Sequence, residues 1–246
     1  MHETYARQYR SLWERHWWWR ARHDYVMRWC RRLAGRWESP EILDVGCGDG
    51  LLFDELARLG SVWGVEPDGR LLSDAGPWRQ RIENVPFDAG YQTRRRYDLV
   101  LMLDVLEHIE DDAAALRRTR SLLQPGGLVL LTVPALPLLW SRHDVANQHF
   151  RRYTRSGLSK LLRATGFTVW KLEYFFCWPV GPMYVRRVLA PGRVREQSEG
   201  DSYAVRIPPR LLNAAMFRLC KIEQTVGRLV PFPLGSSCLA IASRAL

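Results

Sequence analysis

The chain has 246 residues, 47% of them hydrophobic and 25% charged, ample for one globular unit with a sizeable core. Its net charge of +10 is carried almost wholly by arginine, with Lys160, Lys171 and Lys221 the only lysines. That sign admits nucleic acid or an anionic membrane surface as a partner, and a solvated arginine-rich surface accounts for it as simply. Five scattered cysteines, odd in number and without a C-x-x-C pair, exclude a disulfide framework and a structural zinc site.

Residues 1–37 read as helix, without proline, and carry nine arginines against Glu3, Glu14 and Asp24. Trp17, Trp18 and Trp19 follow His16, and three consecutive residues cannot share one helix face. The segment is either a staple onto the domain or a lid, with Trp17 and Trp18 meeting an apolar or ring-bearing substrate. It lacks the apolar run of a signal peptide, so a cytoplasmic location is expected. From Glu41, strands are expected at 41–45, 61–65, 80–84, 97–103, 127–134 and 167–175, and helices at 50–59, 69–75, 111–123 and 154–165. Gln124-Pro125-Gly126-Gly127 reads as a turn, Thr154 as an N-cap and Gly166 as a helix stop. The alternation predicts an α/β fold, a Rossmann-like and mostly parallel sheet with helices on both faces.

Residues 177–234 break the alternation. They are proline-rich and apolar, helix-like near 182–190 and 208–229, with 191–200 an exposed loop. They suit a cap, a dimer surface or a peripheral membrane contact. Residues 236–243 read as the last of seven strands. The longest apolar stretch, Leu128 to Trp140, is interrupted by Thr132, Pro134 and Pro137 and is shorter than the about 20 residues of a membrane span. The expected organisation is a helical lid over 1–37, a core over 38–176, a helical insertion over 177–234, and a final strand over 235–246 that completes the core.

The most informative run is Ile42-Leu43-Asp44-Val45-Gly46-Cys47-Gly48-Asp49-Gly50. A strand ends in a carboxylate and enters a glycine-rich turn, the layout of a nucleotide-binding crevice. A turn built for pyrophosphate offers bare N–H groups. Here Asp44 and Asp49 would repel phosphate and attract a cation. Leu51 also stands where the dinucleotide fingerprint has its third glycine. The turn therefore suits S-adenosylmethionine, a nucleoside carrying positive charge, better than a nicotinamide dinucleotide. Glu66 ends the next strand, where a carboxylate takes a ribose diol. Asp88 suits either the adenine amino group or an Asx-turn in Asp88-Ala89-Gly90.

Taken together, ILDVGCGDG, VWGVEPD, YDLVLMLDVLEHI and LLQPGGLVLLTVP, in that order between Glu41 and Pro134, resemble a class I S-adenosylmethionine-dependent methyltransferase. HWWWRAR and LLWSRHDVANQHFRRYT look like one bacterial small-molecule branch of that family, similar to the ubiquinone-pathway O-methyltransferases. The resemblance implies that Asp44, Gly46, Cys47, Gly48, Gly50, Glu66, Pro67, Asp88, Leu103 and Asp104 hold the cofactor, which leaves as S-adenosylhomocysteine.

Methyl transfer from a sulfonium is an in-line displacement, so alignment matters most, and a base is needed only for a protonated nucleophile. His149 and His143 are the candidate bases. His108, Trp140, Asp144, Arg152 and Tyr153 are expected around the acceptor, with Arg151 or Arg152 suited to a substrate carboxylate or phosphate. In Asp104-Val105-Leu106-Glu107-His108, helical spacing would bring Asp104, Glu107 and His108 together as metal ligands. The same Glu-His run is widespread in the superfamily without metal, so a divalent ion is not expected. The reading is O-methylation of a small aromatic, lipid-like or natural-product acceptor. Its alternatives are small-molecule N-methylation, RNA methylation, and a non-catalytic cofactor-binding or membrane-docking protein. No RNA-binding module is recognised, so nucleic acid is not favoured.

Overall fold

The computed structural model describes residues 10–189 and 206–244. The expected loop at 191–200 and residues 1–9 of the expected lid lie outside them. The elements run α1 (Trp17–Ala34), β1 (Glu41–Val45), α2 (Phe53–Leu56), β2 (Ser61–Val65), β3 (Ile82–Glu83), β4 (Tyr97–Leu103), α3 (Asp112–Leu122), β5 (Leu123–Pro134), α4 (Arg142–Ala146), α5 (Arg155–Ala164), β6 (Phe167–Phe175), α6 (Val180–Leu189), α7 (Arg210–Val226) and β7 (Ser237–Arg244).

The strands form one sheet in the order β3-β2-β1-β4-β5-β7-β6. The first five pair in parallel, and β7 runs antiparallel between β5 and β6. The buried runs on β4 and β5 show why the pairing is parallel: Leu99, Val100, Leu101 and Met102 are fully covered, as are Leu128 to Leu131, because both sheet faces are packed. One core lies under α3 and α5. The other lies under α1, where Ala21, Met27 and Cys30 meet Ile42, Leu99 and Leu130. α1 also packs along α7, with Gln224 Nε2 donating to the Ala21 carbonyl at 2.8 Å. Strand order reverses between β1 and β4, so a crevice opens at their carboxyl ends, where open parallel sheets hold ligands.

The expected fold is the one observed, and the departures are local. The 1–37 helix is interrupted at His16, which caps α1 and accepts from the Trp18 N–H at 3.1 Å. The helix expected at 50–59 is four residues long, and that at 69–75 is a single 3-10 turn over Gly69–Leu71, because Ser73-Asp74-Ala75-Gly76-Pro77 holds turn formers. The strand expected at 80–84 shrinks to two residues at the sheet edge. Residues 124–127 are part of β5 rather than a free turn. The pairing with β4 shifts register there, from Tyr97↔Leu123 to Leu99↔Leu128, with Gly126 at φ +77° absorbing the irregularity. Thr154 caps α5 as expected, accepting from the Gly157 N–H at 3.0 Å. Among the described residues no helix is long and apolar enough to cross a membrane.

Candidate functional site

The carboxyl end of β1 delivers Asp44, 3% exposed, into the turn that follows. Gly46, Gly48 and Gly50 all have positive φ there. At Gly46 the need is steric as well: a Cβ would sit 2.5 Å from Val105 Cγ2. Glu66, at the end of β2, holds the turn in place. Its two oxygens accept from the backbone N–H of Gly48 at 2.9 Å and of Asp68 at 2.8 Å. Burial raises the Glu66 carboxyl above its ordinary range. Burial pushes Asp44 up to about 7; nearby Arg22 opposes that rise and Glu66 adds to it. Two buried acids short of positive charge fit a cationic ligand better than an anionic one. Asp49 is paired with Arg10. Asp88 is exposed and accepts from the Gly90 N–H at 2.7 Å, which is the Asx-turn bond.

The end of β4 is strained. Asp104 sits at φ +56°, a region L-residues seldom occupy, and such outliers gather at ligand sites. Its backbone N–H donates to the Thr132 carbonyl at 2.9 Å, and its Oδ1 accepts from Thr132 Oγ1 at 3.0 Å. Its Oδ2 lies 2.7 Å from Nε of Arg22, a residue of α1 whose side chain is 6% exposed and which also donates to Thr132 Oγ1 at 3.2 Å. Arg22 carries no role in the sequence-based expectations, yet it ties the N-terminal helix to the carboxyl ends of β4 and β5. Its guanidinium lies 5.6 Å from the Trp18 ring, which packs against Phe176. Trp18 thus stands beside the crevice. Trp17 is 8% exposed and packs inward on Phe176 and Trp178.

Beyond Asp104, the 3-10 turn Leu106–His108 carries Glu107, which is fully buried with no hydrogen-bond partner on either carboxylate oxygen. Burial and then Asp104 raise its pKa well above the ordinary value, while Arg22 and Arg152 oppose the rise. The segment after β5 closes over it, with the Phe150 N–H donating to the Glu107 carbonyl at 2.8 Å.

In that segment Asp144 is the hub. It is fully buried and accepts from Ser141 N and Oγ at 2.7 and 2.9 Å and from Arg152 Nε at 2.7 Å. His149 Nδ1 lies 3.0 Å from its Oδ1. These bonds hold Asp144 below the usual carboxylate range against the opposing effect of burial. A carboxylate cannot donate, so it fixes the proton on Nδ1 of His149 and leaves Nε2 as the acceptor. The His149 ring stands 4.6 Å from that of His108, edge to face.

Glu107, His108 and His149 each offer one ligand atom within 4.8 Å of the others. Asp104 is outside that set, and its oxygens are engaged by Arg22 and Thr132. His143 is bonded to Asn147, and burial holds its imidazole down at about 4. Tyr153 turns inward and donates to Asp112 Oδ2 at 2.8 Å, and Arg151 pairs with the same carboxylate. Arg152 spends its donors on Asp144 and on the Ala135 carbonyl, at 3.1 Å. Trp140 and His108 are the exposed members of the cluster.

The family model described as a methyltransferase domain matches residues 18–172. The ubiquinone biosynthesis O-methyltransferase of Cereibacter sphaeroides is 36% identical over 100 residues, 38% of this chain and 40% of that protein. Its counterpart in Ruegeria pomeroyi is 33% identical over 125 residues, 44% of this chain and 49% of that protein. The chain thus matches less than half the length of these curated relatives. In fold it is similar to a methyltransferase from Bacillus halodurans, at a TM-score of 0.57 and 17% identity over 89% of this chain and 99% of that one. It is also similar to the 1,6-didemethyltoxoflavin-N1-methyltransferase of Burkholderia thailandensis, solved with S-adenosylhomocysteine, at a TM-score of 0.54 and 18% identity over 89% of this chain and 78% of that one.

Proposed function

Because the chain belongs to the methyltransferase-domain family, we propose that it methylates a hydroxyl of a small aromatic or otherwise apolar acceptor in the cytoplasm, with His149 as the base. S-adenosylmethionine is the cofactor of this family and supplies a methyl group on a positively charged sulfur, leaving as S-adenosylhomocysteine. The glycines of the 46–50 turn admit close approach of its methionine end, Glu66 suits its ribose, and Asp44 provides negative potential beside its cationic end. The observation that carries the acid–base assignment is the buried Asp144–His149 pair at 3.0 Å. Asp144 orients the ring, and Nε2 of His149 is free to accept the hydroxyl proton as the oxygen attacks. Positioned bases of this kind contribute about 10²–10⁴-fold.

The choice of oxygen is supported by the relatives named O-methyltransferases and by the presence of an oriented base, which an amine nucleophile needs less. An apolar acceptor is supported by Trp18, half-buried beside Arg22. The test is a panel of phenolic and catecholic acceptors assayed with wild type and His149→Gln. The proposal expects kcat to fall at least about 100-fold with the affinity for S-adenosylhomocysteine unchanged. Equal turnover in the variant would remove His149 from the reaction.

A further inference from the structure

A second cavity, of about 220 Å³, opens between α1, the last residues of β6 and the end of α7, and it shares no lining residue with the crevice described above. Four cations line it: Arg28, Arg32, Lys171 and Arg228. Only two carboxylates do, and both are already engaged. Glu173 accepts from the Tyr25 hydroxyl and pairs with Lys171 at 2.8 Å, while Glu223 accepts from the backbone N–H groups of Cys177 at 2.7 Å and Trp178 at 3.0 Å. Among the described residues, Arg28, Arg32 and Arg228 have no ion-pair partner. Arg28 and Arg228 line the same space, and burial and then Arg228 lower the Arg28 pKa, with Tyr25 and Glu173 opposing the fall.

Pro231 and Phe232 add apolar wall, while the Tyr25 and Trp29 rings of the lining are covered by its cations. Arg28 lies over the Tyr25 ring at 4.9 Å, and Lys171 over the Trp29 ring at 5.1 Å. Guanidinium forks match the geometry of phosphate and carboxylate oxygens.

We propose that this cavity is a second binding site, for an oxyanion carried on a flat apolar body, with Arg28 and Arg228 clasping the anion and Pro231 and Phe232 against the apolar body. Phosphate is the anionic group that two facing guanidinium forks suit best. The same chemistry is presented by a soluble aryl phosphate and by the headgroup of an anionic lipid. Occupancy neutralises the Arg28–Arg228 repulsion and bridges α1 to α7.

Titration calorimetry with phenyl phosphate and inorganic phosphate, together with sedimentation on phosphatidylglycerol and phosphatidylcholine vesicles, tests the site. Each is run on wild type, Arg28→Gln/Arg228→Gln and Arg28→Lys, with S-adenosylhomocysteine affinity measured alongside to show that the variants are folded. The expected result is phenyl phosphate bound about tenfold tighter than inorganic phosphate, a loss of at least about tenfold in the double variant and partial retention in Arg28→Lys, with the S-adenosylhomocysteine affinity unmoved. Arginine-dependent binding to phosphatidylglycerol vesicles without a response to soluble phosphates would place the oxyanion on a lipid. No binding in either arm, or equal binding by the double variant, would overturn the site.

Discussion

Gly46 carries the tightest requirement at the residue scale. Its φ of +71° costs an L-residue roughly 1–2 kcal/mol, and its absent side chain leaves room that Val105 fills. Gly46→Ala is therefore expected to fold with reduced stability and to lose at least about tenfold in S-adenosylhomocysteine affinity by calorimetry; unchanged affinity would show that the turn does not touch the ligand. Asp44 gives the site a pH signature. Burial and Glu66 push its pKa up to about 7, so the carboxyl is increasingly neutral as the pH falls through that value. A cationic ligand needs the charged form. Affinity for S-adenosylmethionine should weaken as pH falls below about 7, with a proton released on binding there and none well above it, which titration in buffers of different ionisation heat would detect. Arg22 was invisible to sequence reasoning because its partner Thr132 is 110 residues away, and nothing in HWWWRAR marks one arginine over another. Replacing it by methionine keeps the stem but strips the charge facing Asp104. The cost is expected to be about 2 kcal/mol by denaturant unfolding, below the roughly 3–5 kcal/mol of fully buried pairs, because Asp104 retains some solvent contact.

Elements were legible in proportion to how many independent signals marked them. Strands β1, β2 and β4 were readable because each combines an apolar run with a polar or glycine stop. α5 was bounded by Thr154 and by Gly166, which takes φ +84°. Thr154→Ala should lower stability by about 1 kcal/mol, a fall of about 2–4 °C in Tm, with cofactor affinity intact. The stretches at 50–59 and 69–75 misled because apolar content without periodic support does not sustain a helix, and the turn formers from Ser73 to Pro77 stop the second. Spacing brought Glu107 and His108 to the right neighbourhood but chose Asp104 as their companion. The 3-10 geometry of that turn and the folding back of the Ser141–Tyr153 segment put His149 there instead. Such a contact depends on how a loop returns over the sheet, which no local pattern encodes.

At the scale of the whole molecule the sign of charge is the organising contrast. The chain carries +10 overall, yet the crevice at the ends of β1, β2 and β4 concentrates Asp44, Glu66, Asp104 and Glu107. Net charge alone admitted nucleic acid, an anionic membrane or a plain solvated surface, whereas the buried local charge points to a small cationic ligand; desolvated charges interact far more strongly than screened surface ones, so the local pattern decides. The parallel sheet gives that pattern its position, since every one of those acids lies at or just beyond a strand's carboxyl end. The most direct measurement is calorimetric titration of the purified chain with S-adenosylhomocysteine, beside NAD as a control. The expected result is one molecule bound per chain, with no heat from NAD and with binding abolished in Gly46→Val. An absence of binding to S-adenosylhomocysteine in protein that unfolds cooperatively would contradict the account.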